Sequence, residues 1–356
     1  MHIKETLLAG ALIVGLGSTP ALSDTFRLTV AAGQTPQALP SLAAVQDFFI
    51  PEVQRRLKES GSEHEIVFQE AYAGSLLKAG TVLQGVADGI ADIGYVPTIF
   101  HPDKLPLDQV SFVAPFCTTD LPKVSAAMSE VFKNVSAMNE AYDKFNQVRL
   151  AGMGTDSYEL HSSKPIRSYA DLKGMKIGTA GAALAWMKGV DVVPVSSNMM
   201  EYYNSTQSGV YDAFIVMPST IPGMRYPEVA PYVTEVNFGA MGAVALTINK
   251  DSLARLPEDV QAVIREVGAE YGKVADEAYE NAGERGFKVL ADMDGTERIA
   301  FPEEDRKKWA GDMDNLAKEW AAAQDAAGRP GTEVLSEYMN ALRAQGVTCE
   351  RDWDKE

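Results

Sequence analysis

Apolar and polar positions switch between two spacings along the first half of the chain. Runs in which every second residue is apolar predict strands, and apolar residues three and four apart predict helices. The predicted order is a strand at 25–33, a helix at 39–60 with a second helical piece starting at Pro51, a strand at 65–74, a helix at 76–89, a strand at 90–96, a helix at 122–147 and a strand at 148–154. This alternation is typical of an α/β domain with a largely parallel sheet.

A second, more compact set of alternating elements follows. The pattern predicts strands at 175–181, 190–195 and 211–217, helices at 183–189 and 198–209, and two further strands at 232–238 and 243–250. Its elements are short and separated by glycine or proline, which end regular structure. The spacing therefore predicts a second α/β unit.

The chain beyond Pro257 is almost wholly helical in pattern, over 257–290, 303–326 and 332–344. Charges are interleaved with apolar residues there, as on helices with one solvated and one packed face. Two α/β units with a helical C-terminal region favour a ligand cleft between domains, because ligands in open α/β sheets bind outside the carboxyl ends of the strands.

The first residues have the pattern of a secretory signal peptide. Lys4 precedes an apolar run over 7–17, Pro20 closes it, and small residues follow at 21–23. The run is too short to span a bilayer. We therefore expect a signal peptide at 1–23, cut near Ser23, and a mature protein in the periplasm.

Composition is ordinary for a soluble protein, but charge is not. The 356 residues are 46% hydrophobic and 23% charged, and the formal net charge is -17. An acidic surface repels phosphate backbones and anionic headgroups, so nucleic acid is not an expected partner. Export makes Cys117 and Cys349 candidates for a disulfide. The alternative is two separate thiols, and only geometry decides between them.

Motifs of catalysis and cofactor binding are absent from the sequence. The stretch SKPIRSYADLKGMKIGTAGA, residues 163–182, spaces its glycines as G-x-x-x-G-x-x-G, which is neither a dinucleotide fingerprint nor a phosphate-binding P-loop. No HExxH, CxxC or GxSxG motif occurs, and the histidines are isolated. The sequence predicts no enzyme, no cofactor and no metal site.

Four blocks of sequence resemble one known family when they are taken together. They are EAYAGSLLKAGTVLQGVADGIADIGYV at 70–96, SKPIRSYADLKGMKIG at 163–178, EYYNSTQSGVYDAF at 201–214 and LPEDVQAVIREVG at 256–268. The blocks are similar, in the same order, to motifs of solute-binding proteins of tripartite ATP-independent periplasmic (TRAP) transporters, in the dicarboxylate-binding, DctP-type branch. They are spread over residues 70–268, which is more than half of the chain after residue 23.

The resemblance implies a two-domain periplasmic-binding-protein fold with hinge strands and a long helix that spans both domains. Domain I is expected at 24–152 plus about 240–255, domain II at 153–239, and the spanning and C-terminal helices at 256–356. It also implies a monomer that binds a small organic solute, closes around it and presents it to the membrane components of a TRAP transporter. The alternative class is an exported ligand sensor on the same scaffold.

The chain departs from the family at the positions that hold a ligand carboxylate. The usual arginine, which suits a carboxylate through its planar, permanently charged guanidinium, is replaced by Gly178. The place of a second arginine of some members falls at Tyr158, that of an asparagine at about Val216, and that of an aromatic residue at Met199.

Two hypotheses for the ligand follow. In the first, the pocket is apolar and aromatic and takes a larger apolar or aromatic solute, or a cation held by aromatic faces and Glu70. Its expected lining is Tyr72, Tyr95, Phe116, Tyr158, Met199, Phe214 and Met217. In the second, Gly178 leaves room for an arginine from another loop, and Arg225 binds a carboxylate.

Overall fold

The structure, a computed structural model, describes residues 24–356; the predicted signal peptide lies outside the described residues. Eleven strands form two sheets. The strands are β1 (Asp24–Ala31), β2 (His64–Ala71), β3 (Ile93–Pro97), β4 (Gln147–Thr155), β5 (Glu159–Ser162), β6 (Lys176–Thr179), β7 (Val193–Ser196), β8 (Ala213–Val216), β9 (Tyr232–Glu235), β10 (Met241–Asn249) and β11 (Glu297–Ala300).

Helices cover the faces of both sheets and most of the C-terminal region. They are α1 (Pro40–Ala44), α2 (Ile50–Glu59), α3 (Val82–Ala87), α4 (Val110–Val113), α5 (Leu121–Asn134), α6 (Ser136–Asp143), α7 (Tyr202–Gln207), α8 (Ile221–Met224), α9 (Lys250–Ala254), α10 (Glu258–Ala291), α11 (Glu303–Asp312), α12 (Leu316–Ala326) and α13 (Gly331–Ala344). A π-helical turn at Val45–Phe49 joins α1 to α2. The α/β fold class is confirmed.

The first sheet has the order β2-β1-β3-β10-β4 and the second the order β11-β9-β5-β8-β6-β7. In the first sheet β1 is parallel to β2 and β3, whereas β10 is antiparallel to both β3 and β4. Strand β10 therefore returns from the second sheet to fill the middle of the first. Its apolar residues are buried on both faces.

Two short crossing segments connect the sheets, one after β4 and one before β10, in addition to the connection through α10. They hold each other through backbone hydrogen bonds, from the Tyr158 N–H to the Gly239 carbonyl oxygen at 3.3 Å and from the Phe238 N–H to the Tyr158 carbonyl oxygen at 3.3 Å. Short segments of this kind at the ends of elements are where two-domain folds hinge, and we refer to the paired crossings as the hinge.

The 34-residue helix α10 packs on both sheets. Asp276 on α10 accepts a hydrogen bond from the Gly154 N–H of β4 at 3.1 Å. Farther along the helix, Gly286 lies against the carbonyl group of Pro218, just beyond β8. The helix is about 50 Å long at 1.5 Å per residue, which is enough to brace both sheets.

The C-terminal end is attached to the first half of the chain. Cys117 and Cys349 form a disulfide across 232 residues of sequence, which resolves the alternative that the sequence leaves open. Next to it, the indole of Trp353 is fully buried and donates a hydrogen bond to the Pro115 carbonyl oxygen at 2.8 Å.

The structure differs from the predicted elements in several places, three of which concern the course of the chain. The helix expected at 122–147 is divided at Val135, whose backbone is extended (φ -115°, ψ 101°). The segment expected as a helix at 183–189 forms a 3₁₀ helix at Gly181–Met187. Strand β11, which was not predicted, lies between the helices predicted at 257–290 and 303–326; it follows a turn at Gly295, where φ is 83°, and pairs with β9 at the edge of the second sheet.

Candidate functional site

An enclosed cavity of about 60 Å³ lies between the two sheets, beside the hinge. Tyr95 reaches it from β3, Thr155 from the end of β4, Thr179 from the end of β6 and Val216 from the end of β8, and Tyr279 closes it from α10. Strand ends are where short loops leave an α/β sheet, so side chains from both sheets converge here.

The cavity wall is apolar and aromatic. Its eighteen lining residues are Gln34, Leu39, Tyr95, Pro97, Ile99, Phe100, Thr155, Tyr158, Thr179, Ala180, Met199, Tyr202, Ile215, Val216, Met217, Ala243, Val244 and Tyr279. None of these side chains is charged. Burial raises the pKa of the Tyr95 hydroxyl to about 12, and this hydroxyl lies 2.6 Å from Ser41 Oγ. The tyrosines therefore stay neutral at physiological pH.

Four polar atoms of the lining residues make no well-aligned hydrogen bond within residues 24–356. They are Gln34 Oε1, Thr155 Oγ1, Thr179 Oγ1 and the Tyr279 hydroxyl. Buried polar atoms are hydrogen-bonded in the great majority of cases. Their concentration around one cavity is consistent with a site that receives a polar group of a ligand.

An aromatic cluster supports the hinge side of the cavity. Trp186 stacks on Phe238 with ring centroids 5.0 Å apart and on Phe112 at 6.1 Å, and Tyr158 meets it edge-on at 5.4 Å. The indole N–H of Trp186 donates to the Phe112 carbonyl oxygen at 2.6 Å. Because the cluster includes residues of both crossings, it fixes the position of Tyr158 at the cavity wall.

Buried carboxyl groups bind the backbone around the crossings. Asp156 accepts hydrogen bonds from Ser219 Oγ at 2.6 Å and from the Ser219 N–H at 3.0 Å. Glu159 accepts one from the Asn237 N–H at 2.8 Å. Burial raises the pKa of Asp156 to about 7 and that of Glu159 to about 8. Burial therefore favours the protonated form of both carboxyl groups.

Five of the eleven residues predicted from the sequence line the cavity: Tyr95, Tyr158, Met199, Val216 and Met217. They come from strand ends, from the first crossing and from the segment before α7. The structure brings them together from both sheets, whereas the sequence places them up to 122 positions apart, from 95 to 217.

Three predicted residues of the first half lie outside the lining. Glu70 accepts a hydrogen bond from Gln46 Nε2 at 2.9 Å on the surface. Tyr72 is partly buried, and burial, followed by the nearby charge of Glu70, raises the pKa of its hydroxyl. Phe116 packs on Phe238 with ring centroids 5.1 Å apart, on the side of the disulfide.

The remaining three predicted residues belong to the second half, and they also lie outside the lining. A Cβ on Gly178 would lie 2.8 Å from the ring of Tyr211, so this ring occupies the space next to position 178. Phe214 stacks behind the cavity residue Tyr202 at 4.8 Å. Arg225 is on the surface, with 75% of its side chain exposed, and it pairs with Glu228 at 2.6 Å.

Sequence reasoning missed several lining residues, above all Thr155, Thr179 and Tyr279. The two threonines carry a usable signal, because each is a polar residue at the carboxyl end of its strand. Tyr279 occupies an ordinary buried position of a long helix and carries no such signal. Only the packing of α10 across the hinge brings it to the cavity.

Within the part of the chain that the structure covers, no three His, Cys, Asp or Glu side chains are grouped as a metal site would require. No helical stretch in the same residues has the length and hydropathy of a membrane span.

Comparison with known proteins identifies relatives of both sequence and fold. A family model described as bacterial extracellular solute-binding protein, family 7 (DctP), matches residues 49–324. The chain is 25% identical, over 197 residues, to a solute-binding protein of Sulfitobacter sp. strain NAS-14.1. That alignment covers 54% of this chain and 58% of the relative, so the chain spans little more than half of that relative's length.

Solved structures share the fold over nearly the whole chain. A TRAP periplasmic solute-binding protein from Desulfovibrio salexigens superposes with a TM-score of 0.76 at 22% identity, covering 89% of this chain and 96% of that one. A TRAP solute-binding protein from Rhodoferax ferrireducens, in complex with copurified benzoate, gives 0.76 at 18% identity, covering 90% and 98%. At these identities the similarity shows the two-domain fold.

Proposed function

Because the chain belongs to the family of bacterial extracellular solute-binding proteins, family 7, we propose that its interdomain cavity captures a small organic solute for a TRAP-type secondary transporter. The membrane components of that transporter would receive the solute from the closed protein. The observation that carries the proposal is the cavity itself, which both sheets and α10 enclose beside a paired hinge. Hinge closure around a ligand is the usual mechanism in such two-domain folds.

We carry the finer predictions forward as part of this proposal. The domains divide at 24–152 with about 240–255, 153–239, and 256–356, and the protein acts as a monomer in the periplasm after loss of residues 1–23. The expected ligand residues are those five predicted positions that line the cavity. An exported sensor that binds the same solute without transport is the competing class, and solute uptake by vesicles containing the membrane components distinguishes the two.

Of the two ligand hypotheses, the geometry favours the first, an apolar and aromatic pocket in which no arginine binds a ligand carboxylate. Arg225 already pairs with Glu228, and its backbone adopts a left-handed conformation (φ 56°) that directs the chain away at the end of α8. An arginine at position 178 would overlap Tyr211. The cavity of about 60 Å³ suits a compact solute, and a larger aromatic one requires the hinge to open further.

The proposed site can be tested with a substitution that fills the cavity and leaves the core unaltered. Met199 is a partly buried lining residue, and its neighbour Met200 is 69% exposed and outside the cavity. We expect Met199→Trp to abolish solute-dependent thermal stabilisation, while Met200→Trp leaves it intact.

A solute present at a hundred times its dissociation constant stabilises the unmodified protein by roughly 2.7 kcal/mol, so the loss is readily measured. Equal stabilisation of both variants would place the binding site elsewhere. Arg225→Ala tests the second hypothesis, in which Arg225 binds a ligand carboxylate. That hypothesis requires the substitution to abolish binding of organic acids.

A further inference from the structure

The cavity offers no compensating charge to a charged ligand. None of the eighteen lining side chains within residues 24–356 is ionised at neutral pH. The two charged residues that were predicted to bind the ligand have other partners outside the cavity: Glu70 accepts a hydrogen bond from Gln46, and Arg225 forms an ion pair with Glu228. An ammonium or carboxylate group enclosed here would lose its hydration without gaining an ion pair, which is strongly unfavourable.

The wall nevertheless offers hydrogen bonds on several sides. The side chains of Thr155, Thr179 and Tyr279 are at most 3% exposed. Their hydroxyl oxygens lie beside the hydroxyls of Tyr158, Tyr202 and Tyr95, respectively, but make no well-aligned hydrogen bond to another described residue. Gln34 Oε1 is a further buried acceptor without a partner there. A native protein rarely leaves such atoms unpaired, because each costs the full desolvation of a polar group.

The positions of these atoms describe the ligand that would satisfy them. Thr155 ends β4 of the first sheet, Thr179 ends β6 of the second, and Tyr279 lies on α10. Hydroxyl groups donate to a carbonyl or hydroxyl oxygen, whereas Gln34 Oε1 accepts from an O–H or N–H group. A ligand with both an oxygen acceptor and a polar hydrogen would therefore bridge the two sheets.

On this basis, and resting on the proposed function of the cavity, we propose that the solute is a compact, uncharged molecule. It carries an apolar frame with carbonyl, hydroxyl or amide groups, rather than the carboxylate that the family arginine binds. Its hydrogen bonds to Thr155 and Thr179 hold the two sheets together, and its apolar frame contacts Tyr95, Tyr158 and Met217. A cation held by aromatic faces alone is not compatible with this wall.

Probes of similar size that are neutral, anionic or cationic test the ligand class. We would measure binding of butyramide, butyrate and butylamine, and of benzamide, benzoate and benzylamine, to the purified chain by calorimetry and thermal shift. We expect at least one amide to bind at least 10-fold more tightly than its carboxylate and amine counterparts. The aliphatic set fits the cavity as it stands, and the aromatic set requires opening at the hinge.

Hydroxyl-deleting variants test the contacts. Thr155→Val, Thr179→Val and Tyr279→Phe keep the shape of each side chain and remove one unpaired hydroxyl. Each should weaken amide binding roughly 2- to 10-fold, as expected for loss of one neutral hydrogen bond. Each should also leave the ligand-free melting temperature unchanged or higher, because no well-aligned internal hydrogen bond is lost. Lower ligand-free stability with unchanged amide affinity would show that the hydroxyls are structural and overturn the inference.

The remaining outcomes separate this inference from the proposed function. A carboxylate that binds as tightly as its amide, with affinity lost in Met199→Trp, overturns the uncharged class and supports the cavity as a solute site. Absence of binding for all six probes, together with no solute detected by mass spectrometry of the protein as purified, overturns both. An organic acid found in the purified protein likewise refutes the uncharged class alone.

Discussion

Replacing Gly286 with alanine tests the contact through which α10 holds the second sheet. A Cβ at this position would lie 2.1 Å from the carbonyl oxygen of Pro218 and 2.8 Å from its carbonyl carbon. The obstacle is backbone rather than a flexible side chain, so the helix and the turn at 218–219 must separate. That turn follows Met217 of the cavity wall and carries Ser219, which binds the buried Asp156.

The expected loss follows from two opposing effects. Alanine favours a helix over glycine by about 1 kcal/mol. Overpacking of a well-packed contact costs about 1–3 kcal/mol, and the rigid neighbour places this site at the upper end. We therefore expect Gly286→Ala to lower the free energy of unfolding by about 2 kcal/mol and to weaken solute binding by displacing Met217.

Urea denaturation monitored by tryptophan fluorescence measures the change. The matched control is Gly311→Ala in α11, where an added Cβ would have no neighbouring atom within 4 Å and the same substitution should stabilise by up to about 1 kcal/mol. If Gly286→Ala were as stable as the unmodified protein, the close approach of α10 to the turn would not be a constraint on the fold.

Three further predictions concern the disulfide and two buried titratable groups. Replacing Cys117 and Cys349 with serine should lower the free energy of unfolding by up to roughly 5 kcal/mol, because the bond closes a long loop; a reducing agent should destabilise the unmodified protein and leave the variant unchanged. Burial raises the pKa of Glu159 to about 8, so the folded protein holds this proton more tightly than the unfolded chain and loses stability as pH rises from about 4.5 to about 8. Glu159→Gln should flatten that slope in melting curves recorded across this range. Burial lowers the pKa of His161 to about 3, so the folded protein loses stability as pH falls below about 6.5. His161→Phe should reduce this loss. If the variant lost stability at acid pH as steeply as the unmodified protein, His161 would not be the cause.

The alternation of apolar spacing determined the fold class because it reports which face of each element is buried, and burial is what builds the two sheets. Tyr95 in β3 and Val216 at the end of β8 were predictable from the family resemblance, which places these strands at the cleft. Tyr279 was not predictable, because its approach depends on how a long helix crosses the hinge. The filling of the Gly178 site by Tyr211 depends equally on tertiary packing, across 33 positions of sequence.

The position of β10 in the first sheet has a consequence for how the chain can be divided. Within the described sheet, β4 is hydrogen-bonded only to β10, and β10 is supplied by residues 241–249, after β5 to β9 have been made. A fragment ending at Thr155 would keep β1, β2 and β3 but leave β4 unpaired. During synthesis the first sheet therefore stays incomplete until β5 to β9 and then β10 have been synthesised. We expect that neither sheet can be produced as an independent fragment, and that a break in the chain is tolerated only where both pieces can reassemble around β10.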